Sequence, residues 1–221
     1  MTTKTLTYLF IICTLLISMA FTPARSKRDS TNSSDWKLVK AEYNIKIYTR
    51  NSYGSKIKEF KAITIVTAKM EVLEKLIDKI SEYPKWQANI ATATVLEKIN
   101  KATQYIYYTT SVPWPLTNRD VVLFSEKIVD VDGTITYNLT GKPDYIKEKA
   151  NFIRVKNIKS MCKIKPIGNN KIEITFESFG DPEGVIPDSI INMYLADSPY
   201  NTLVNLRKII ENKNHEQKFF E

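Results

Sequence analysis

The sequence predicts an α+β domain in which a curved antiparallel sheet grips one long C-terminal helix. Two observations lead there. From Pro187 to Asn212, apolar residues at Ile191, Leu195, Leu203, Leu206 and Ile210, with Ile190 and Tyr194 beside them, recur at helical spacing and build one broad apolar face. Upstream lie short β-type runs, YNIKIYT, QYIYYTTSV, RDVVLFSEKIV and NKIEITFESF, none of which buries its own apolar side unaided. Packing the runs, as a sheet, against the helix covers both surfaces at once.

Composition bounds what such a domain does. At 221 residues the chain suits one domain, and a core of that size buries about 70% of the surface its unfolded chain exposes. Hydrophobic residues at 43% and charged residues at 25% describe a folded soluble protein, not a disordered or membrane-spanning one. A net charge of +8 and a pI near 9.2 favour an anionic partner, either phospholipid headgroups or nucleic-acid phosphates. No zinc finger, glycine-rich phosphate loop or basic repeat supports the second, so no nucleic-acid partner is expected. Cys13 lies in an apolar run expected to be removed, which leaves Cys162 with no intramolecular disulfide partner. The single histidine, His215, sits in a polar tail, so the core offers neither a zinc cluster nor a Ser/His/Asp triad, and no metal or other cofactor is expected.

Along the chain, residues 1–20 read as a signal peptide: Lys4, then LTYLFIICTLLISMAF, then Ser18 and Ala20 at A-x-A-like spacing. An uncleaved anchor is the rival, but the apolar run falls short of the ~20 residues a spanning helix needs. The mature protein is therefore expected to be exported, periplasmic or secreted. Residues 21–35, which include RSKRDSTNSSD, form a flexible linker, 36–212 the folded domain, and 213–221 a polar tail. Within the domain, Tyr43 to Arg50 and Lys58 to Thr67 make a first hairpin across NSYGS. Met70, Leu73, Leu76, Ile77 and Ile80 then switch to helical spacing and stop before Pro84. Strands follow near 91–99, 104–112, 119–130, 134–141, 151–165 and 171–180, with turns at Lys101, Asp132-Gly133 and Gly168-Asn169-Asn170. Pro199 interrupts the C-terminal helix, with Asp197 or Ser198 placed to cap a restart. A kink there would make Pro187 to Asp197 a gate.

EFKA at 59–62, Tyr83-Pro84 with Trp86, VPWPLTNRD at 112–120, DPEGVIP at 181–187 and TLVNLRK at 202–208 together resemble a START domain, the steroidogenic acute regulatory protein-related lipid-transfer family. The resemblance covers roughly residues 36–212. It implies the helix-grip fold: about nine antiparallel strands around the C-terminal helix, enclosing an apolar tunnel that holds one lipid. Two departures touch the tunnel and a turn. Ser160-Met161-Cys162 stands where the family often has glycine followed by tryptophan, and Glu183 where it often has a second glycine.

Seven residues are expected to contact the ligand: Tyr107, Trp114, Arg119, Leu123, Ile190, Met193 and Tyr194. Trp114, held between two prolines, either closes the tunnel mouth or packs beneath a rigid loop. Arg119 shares one strand face with Val121, Leu123 and Ser125; facing inward, it binds an anionic or carbonyl lipid head, or else it forms a structural pair with a carboxylate. Tyr105, Tyr107 and Tyr108 bracket both faces of their strand, so at least one phenol points inward. Met193 adds an adaptable thioether beside Ile190 and Tyr194. The reading is a monomeric, non-enzymatic protein that binds a lipid or sterol-like molecule and contacts an anionic membrane surface transiently. The alternative is a cyclase-like enzyme working on a hydrophobic substrate in the same space.

Overall fold

The structure is a computed structural model that describes residues 35–213 except 53, 54 and 56; the side chains of 188, 189, 192, 193, 212 and 213 lie outside the described set. The expected signal peptide, the linker up to residue 34 and the tail beyond 213 also lie outside the described residues. Ten strands form one sheet: β1 (Lys37–Glu42), β2 (Ile45–Asn51), β3 (Lys58–Thr67), β4 (Ile90–Lys98), β5 (Thr103–Thr110), β6 (Arg119–Val129), β7 (Ile135–Gly141), β8 (Ile153–Arg154), β9 (Ile158–Pro166) and β10 (Lys171–Gly180). The order is β1-β2-β3-β10-β9-β7-β6-β5-β4, antiparallel throughout, with the two-residue β8 added parallel to β6. Helices α1 (Met70–Asp78), α2 (Tyr83–Trp86) and α3 (Asp188–Lys213) complete the fold. This is the curved sheet around a C-terminal helix that the sequence predicts.

Alternation makes the inner face. Ile45 and Ile47 on β2, Ala62 and Val66 on β3, Ile172 and Ile174 on β10, and Ile164 on β9 are buried and belong to one core. Leu73, Leu76 and Ile77 of α1 close one end of it, and Leu203, Leu206 and Ile210 of α3 fill its centre. Each of the valine, leucine and isoleucine side chains gains about 1.5–3 kcal/mol by leaving water. The N-terminal half of α3 differs: Ile190, Ile191, Tyr194 and Leu195 are only half-buried.

Three expectations change. The sequence starts its first strand at Tyr43, but Tyr43 and Asn44, at φ 49° and 61°, are a turn, and β1 precedes it as an edge strand. Positive φ at both turn residues suits the twist of a two-residue hairpin, yet Tyr-Asn lacks the glycine that flags one. The run 151–165 splits into β8 and β9, because Arg154 is drawn onto the outer face of β6 by Asp120. Finally, α3 continues through Pro199 without a break. Neither expected cap is free for that role, since Asp197 pairs with Lys40 at 3.0 Å and the Ser198 hydroxyl accepts from Asn89 Nδ2 at 3.1 Å.

Candidate functional site

Beneath the half-buried part of α3 a partly open cavity of about 200 Å³ remains, walled mainly by apolar groups such as Phe60, Tyr108, Val121, Ile158, Ile191 and Leu195. A second chamber of about 70 Å³ lies against the buried half of the helix, among Trp86, Ile106, Leu123, Cys162, Phe176 and Leu203. Tyr108 borders both. Two further pairs straddle the boundary: Phe60 and Phe176 meet edge-on at 5.4 Å, and the Ser178 and Ser160 hydroxyls share a 2.7 Å hydrogen bond.

Arg119 and Tyr194 line the larger cavity, and Leu123 lines the smaller. Arg119 is the polar centre of the wall. Its Nε donates to the Pro182 carbonyl and its Nη2 to the Glu183 carbonyl, both at 3.1 Å, while Nη1 donates to the Thr117 carbonyl. One guanidinium thus ties the β5–β6 loop to the loop before α3. No carboxylate within ion-pairing reach answers it among the described residues, which removes the structural ion pair as its explanation. Burial pulls its pKa below the ordinary guanidinium value. Tyr194 donates its phenol to the Ser111 carbonyl at 2.9 Å, tying α3 to the same β5–β6 loop.

Of the other four expected contacts, three fall elsewhere and the fourth, Met193, has its side chain outside the described residues. Ile190 is half-buried on α3 beside Ile191 but is not part of either wall. Trp114, whose bond to Pro115 is cis, stands 92% exposed and lines neither chamber. Tyr107 occupies the opposite face of the sheet, where its hydroxyl donates to Asp120 Oδ2 at 3.3 Å and Lys149 lies 4.0 Å over its ring. There Asp120 also takes two bonds of 2.9 Å from Arg154, whose side chain, like its own, is 1% exposed.

The phenol that turns inward is Tyr108. Antiparallel partners share a face, and Tyr108 lies opposite Val121 whereas Tyr107 lies opposite Val122. Arg119, Val121, Leu123 and Ser125 do face inward together. Parity was readable from the sequence, while the register that links one strand's parity to the next was not.

Trp86 was expected only as part of a motif. Its indole is 5% exposed, lies edge-on to Tyr83 at 5.2 Å, and has an Nε1 with no hydrogen-bond partner among the described residues. A buried donor left unpaired costs about 1–3 kcal/mol. The groups around it stay neutral: burial pushes the Cys162 thiol up to about 12 and raises the Tyr83, Tyr108 and Tyr137 phenols above their ordinary value. Among the described residues no cluster of His, Cys, Asp or Glu is placed to hold a metal, and no helix is long and apolar enough to cross a membrane.

Fold and cavity define a class: an α+β domain with an internal apolar space between a curved sheet and its C-terminal helix. The chain belongs to the START domain family, whose model matches residues 21–216. It is similar to an uncharacterised Pseudomonas aeruginosa protein, 33% identical over 181 residues that make up 82% of this chain and 89% of that one. It is also similar to the Rattus norvegicus phosphatidylcholine transfer protein, 24% identical over 195 residues, or 86% of this chain and 90% of the relative. The solved STAR-related lipid transfer protein from Xanthomonas axonopodis superposes with a TM-score of 0.73 at 28% identity, covering 80% of this chain and 98% of that structure.

The two departures from the family pattern now have places. Glu183 sits at φ 55°, a left-handed conformation that a glycine would hold more easily, and its N–H is taken by the Asp181 carboxylate at 2.9 Å. Ser160 and Cys162 line the smaller chamber, so that departure reshapes the inner space.

Proposed function

We propose that this protein binds one lipid-type ligand between its sheet and α3 and carries or senses it at the cell envelope, after export and as a monomer. The carrying observation is a mostly apolar cavity whose wall holds Arg119, a cation with carbonyl partners and, among the described residues, no carboxylate within ion-pairing reach. Such a wall suits an aliphatic body with an anionic or carbonyl head. The names of the rat and Xanthomonas relatives, both lipid transfer proteins, support the same reading.

Energetics favour exchange. Burial gains about 0.8 kcal/mol per methylene, on the order of 13 kcal/mol for a chain of about sixteen carbons. A bilayer offers nearly the same, so transfer is close to balanced and the few polar wall groups select the ligand. The rim supports membrane contact. Trp114 at 92% and Val185 at 95% exposure project from the two loops that Arg119 joins. Basic side chains add about 1 kcal/mol each on an anionic surface.

Binding is favoured over catalysis because Tyr108 and Cys162 are kept protonated by burial, Arg119 is engaged by backbone carbonyls, and the Asp181 carboxylate on the same wall accepts the Glu183 N–H. Native mass spectrometry of the purified mature protein, followed by organic extraction, tests the reading. A stoichiometric lipid is expected. An empty protein that also refuses labelled sterols, phospholipids and fatty acids would sink it.

A further inference from the structure

The larger cavity accounts for one polar end of a ligand; the smaller chamber has a polar requirement of its own. Trp86 Nε1 is a fixed donor with no acceptor among the described residues. Its placement is enforced from several sides. The Asn205 amide donates to the Trp86 carbonyl at 3.3 Å, the Ala88 N–H donates to the Thr202 hydroxyl at 3.0 Å, and the Tyr83 ring that abuts the indole is anchored by its own hydroxyl on the Ile77 carbonyl at 3.0 Å. The indole therefore has little freedom to turn toward a protein acceptor. Gln87 lines the same chamber and does not reach it.

The chamber around this donor holds no charged side chain; its polar lining is hydroxyl, amide, phenol and thiol. An anion would find no counter-charge there, and a cation would find no carboxylate. What fits is an uncharged oxygen acceptor. Tyr108, with the Phe60–Phe176 and Ser178–Ser160 pairs, forms the boundary between this chamber and the cavity that Arg119 serves.

The geometry points to a second polar subsite: Trp86 Nε1 hydrogen-bonds a hydroxyl or carbonyl oxygen carried on the ligand's apolar body, remote from the head that Arg119 holds. This rests on the proposed lipid-binding role and narrows it to lipids with two polar ends, such as a long-chain acid oxygenated far from its carboxylate. Such a ligand passes Tyr108 and reaches into the inner chamber, where its oxygen satisfies the indole.

The test compares ω-hydroxy fatty acids with unsubstituted acids of equal length, binding each to the full chain and to Trp86→Phe. The wild type is expected to prefer the best hydroxy acid about tenfold, the usual scale for one hydrogen bond made in a buried site. In Trp86→Phe the ratio of the two affinities, taken within the same variant, should fall to about one. Equal affinities in the wild type, or a preference that survives in the variant, overturn the subsite while leaving the lipid-binding reading intact. Uptake of no acid by the wild type overturns the subsite and, if sterols and phospholipids are refused too, the reading beneath it.

Should Trp86→Phe fail to fold, the wild-type indole N–H resonances give the answer. The chain has three tryptophans, so Trp36→Phe and Trp114→Phe assign the Trp86 signal by elimination. A downfield shift with the hydroxy acid and none with the plain acid supports the subsite. A signal that moves with neither means that the chamber holds water alone, and the proposal fails.

Discussion

Arg119 and Asp120 are neighbours in sequence and serve opposite faces of the sheet, because successive strand residues point opposite ways. Arg119 clamps two loops from the cavity side by three carbonyl bonds. Hydrogen bonds to a charged group contribute about 1.5–3 kcal/mol each at most, and loop carbonyls near the rim recover part of that from water. Arg119→Leu is therefore expected to cost about 2 kcal/mol in urea unfolding and to abolish any preference for anionic over neutral lipids. Unchanged lipid occupancy with lowered stability would reassign Arg119 to structure alone. Asp120 gives the contrast. Removing it leaves Arg154 buried without its counter-ion, so Asp120→Ala should cost about 3–5 kcal/mol while a protein that still folds keeps its lipid preference. Both side chains of that pair are 1% exposed, so solvent screening does not reduce the effect.

At the scale of the element, α3 is one helix with two kinds of attachment. Its C-terminal half is fastened by Leu203, Leu206 and Ile210 in the core. Its N-terminal half is held by single polar contacts, Tyr194 to Ser111, Lys40 to Asp197 and Asn89 to Ser198. Pro199 stands between the halves and has no N–H to offer the Leu195 carbonyl one turn earlier. Leu195 is itself on the cavity wall, so the missing rung weakens the helix beside the cavity. Pro199→Ala restores that rung. It should raise the melting midpoint, with ~3 kcal/mol of helix propensity as the upper limit, and slow lipid exchange between vesicles. Tyr194→Phe should act oppositely, costing about 1 kcal/mol and speeding exchange. Exchange rates unmoved by both substitutions would make α3 a fixed wall and end its reading as a gate.

For the whole molecule, the fold was legible because two periodicities recur, 3.6 in α1 and the buried half of α3 and 2 in β2, β3 and β10. The site was legible only in part. Inward parity of Arg119 and Leu123 follows from one strand, whereas placing Tyr108 needs the β5–β6 register, and Trp86 needs the long-range packing of α2 against α3. That packing also buries acids in a neutral interior, and the consequence is a pH dependence of the folded state. The Cys162 thiol is raised from 9.0 to about 12, and the Tyr83, Tyr108 and Tyr137 phenols are raised from 10.0, in each case first by burial. A group that keeps its proton longer when folded gives stability that is complete below its unfolded pKa and is lost as pH climbs toward the folded one. The unfolding midpoint in urea should thus be flat from neutrality to about pH 9 and then fall steadily. Cys162 has the lowest unfolded value of the four, so Cys162→Ala should delay the onset by about one pH unit without flattening the later fall, which belongs to the phenols. Stability that holds level to about pH 11 would mean that water reaches these groups in the folded protein, and the inner chamber would then be wet and open, not the closed neutral space its walls describe.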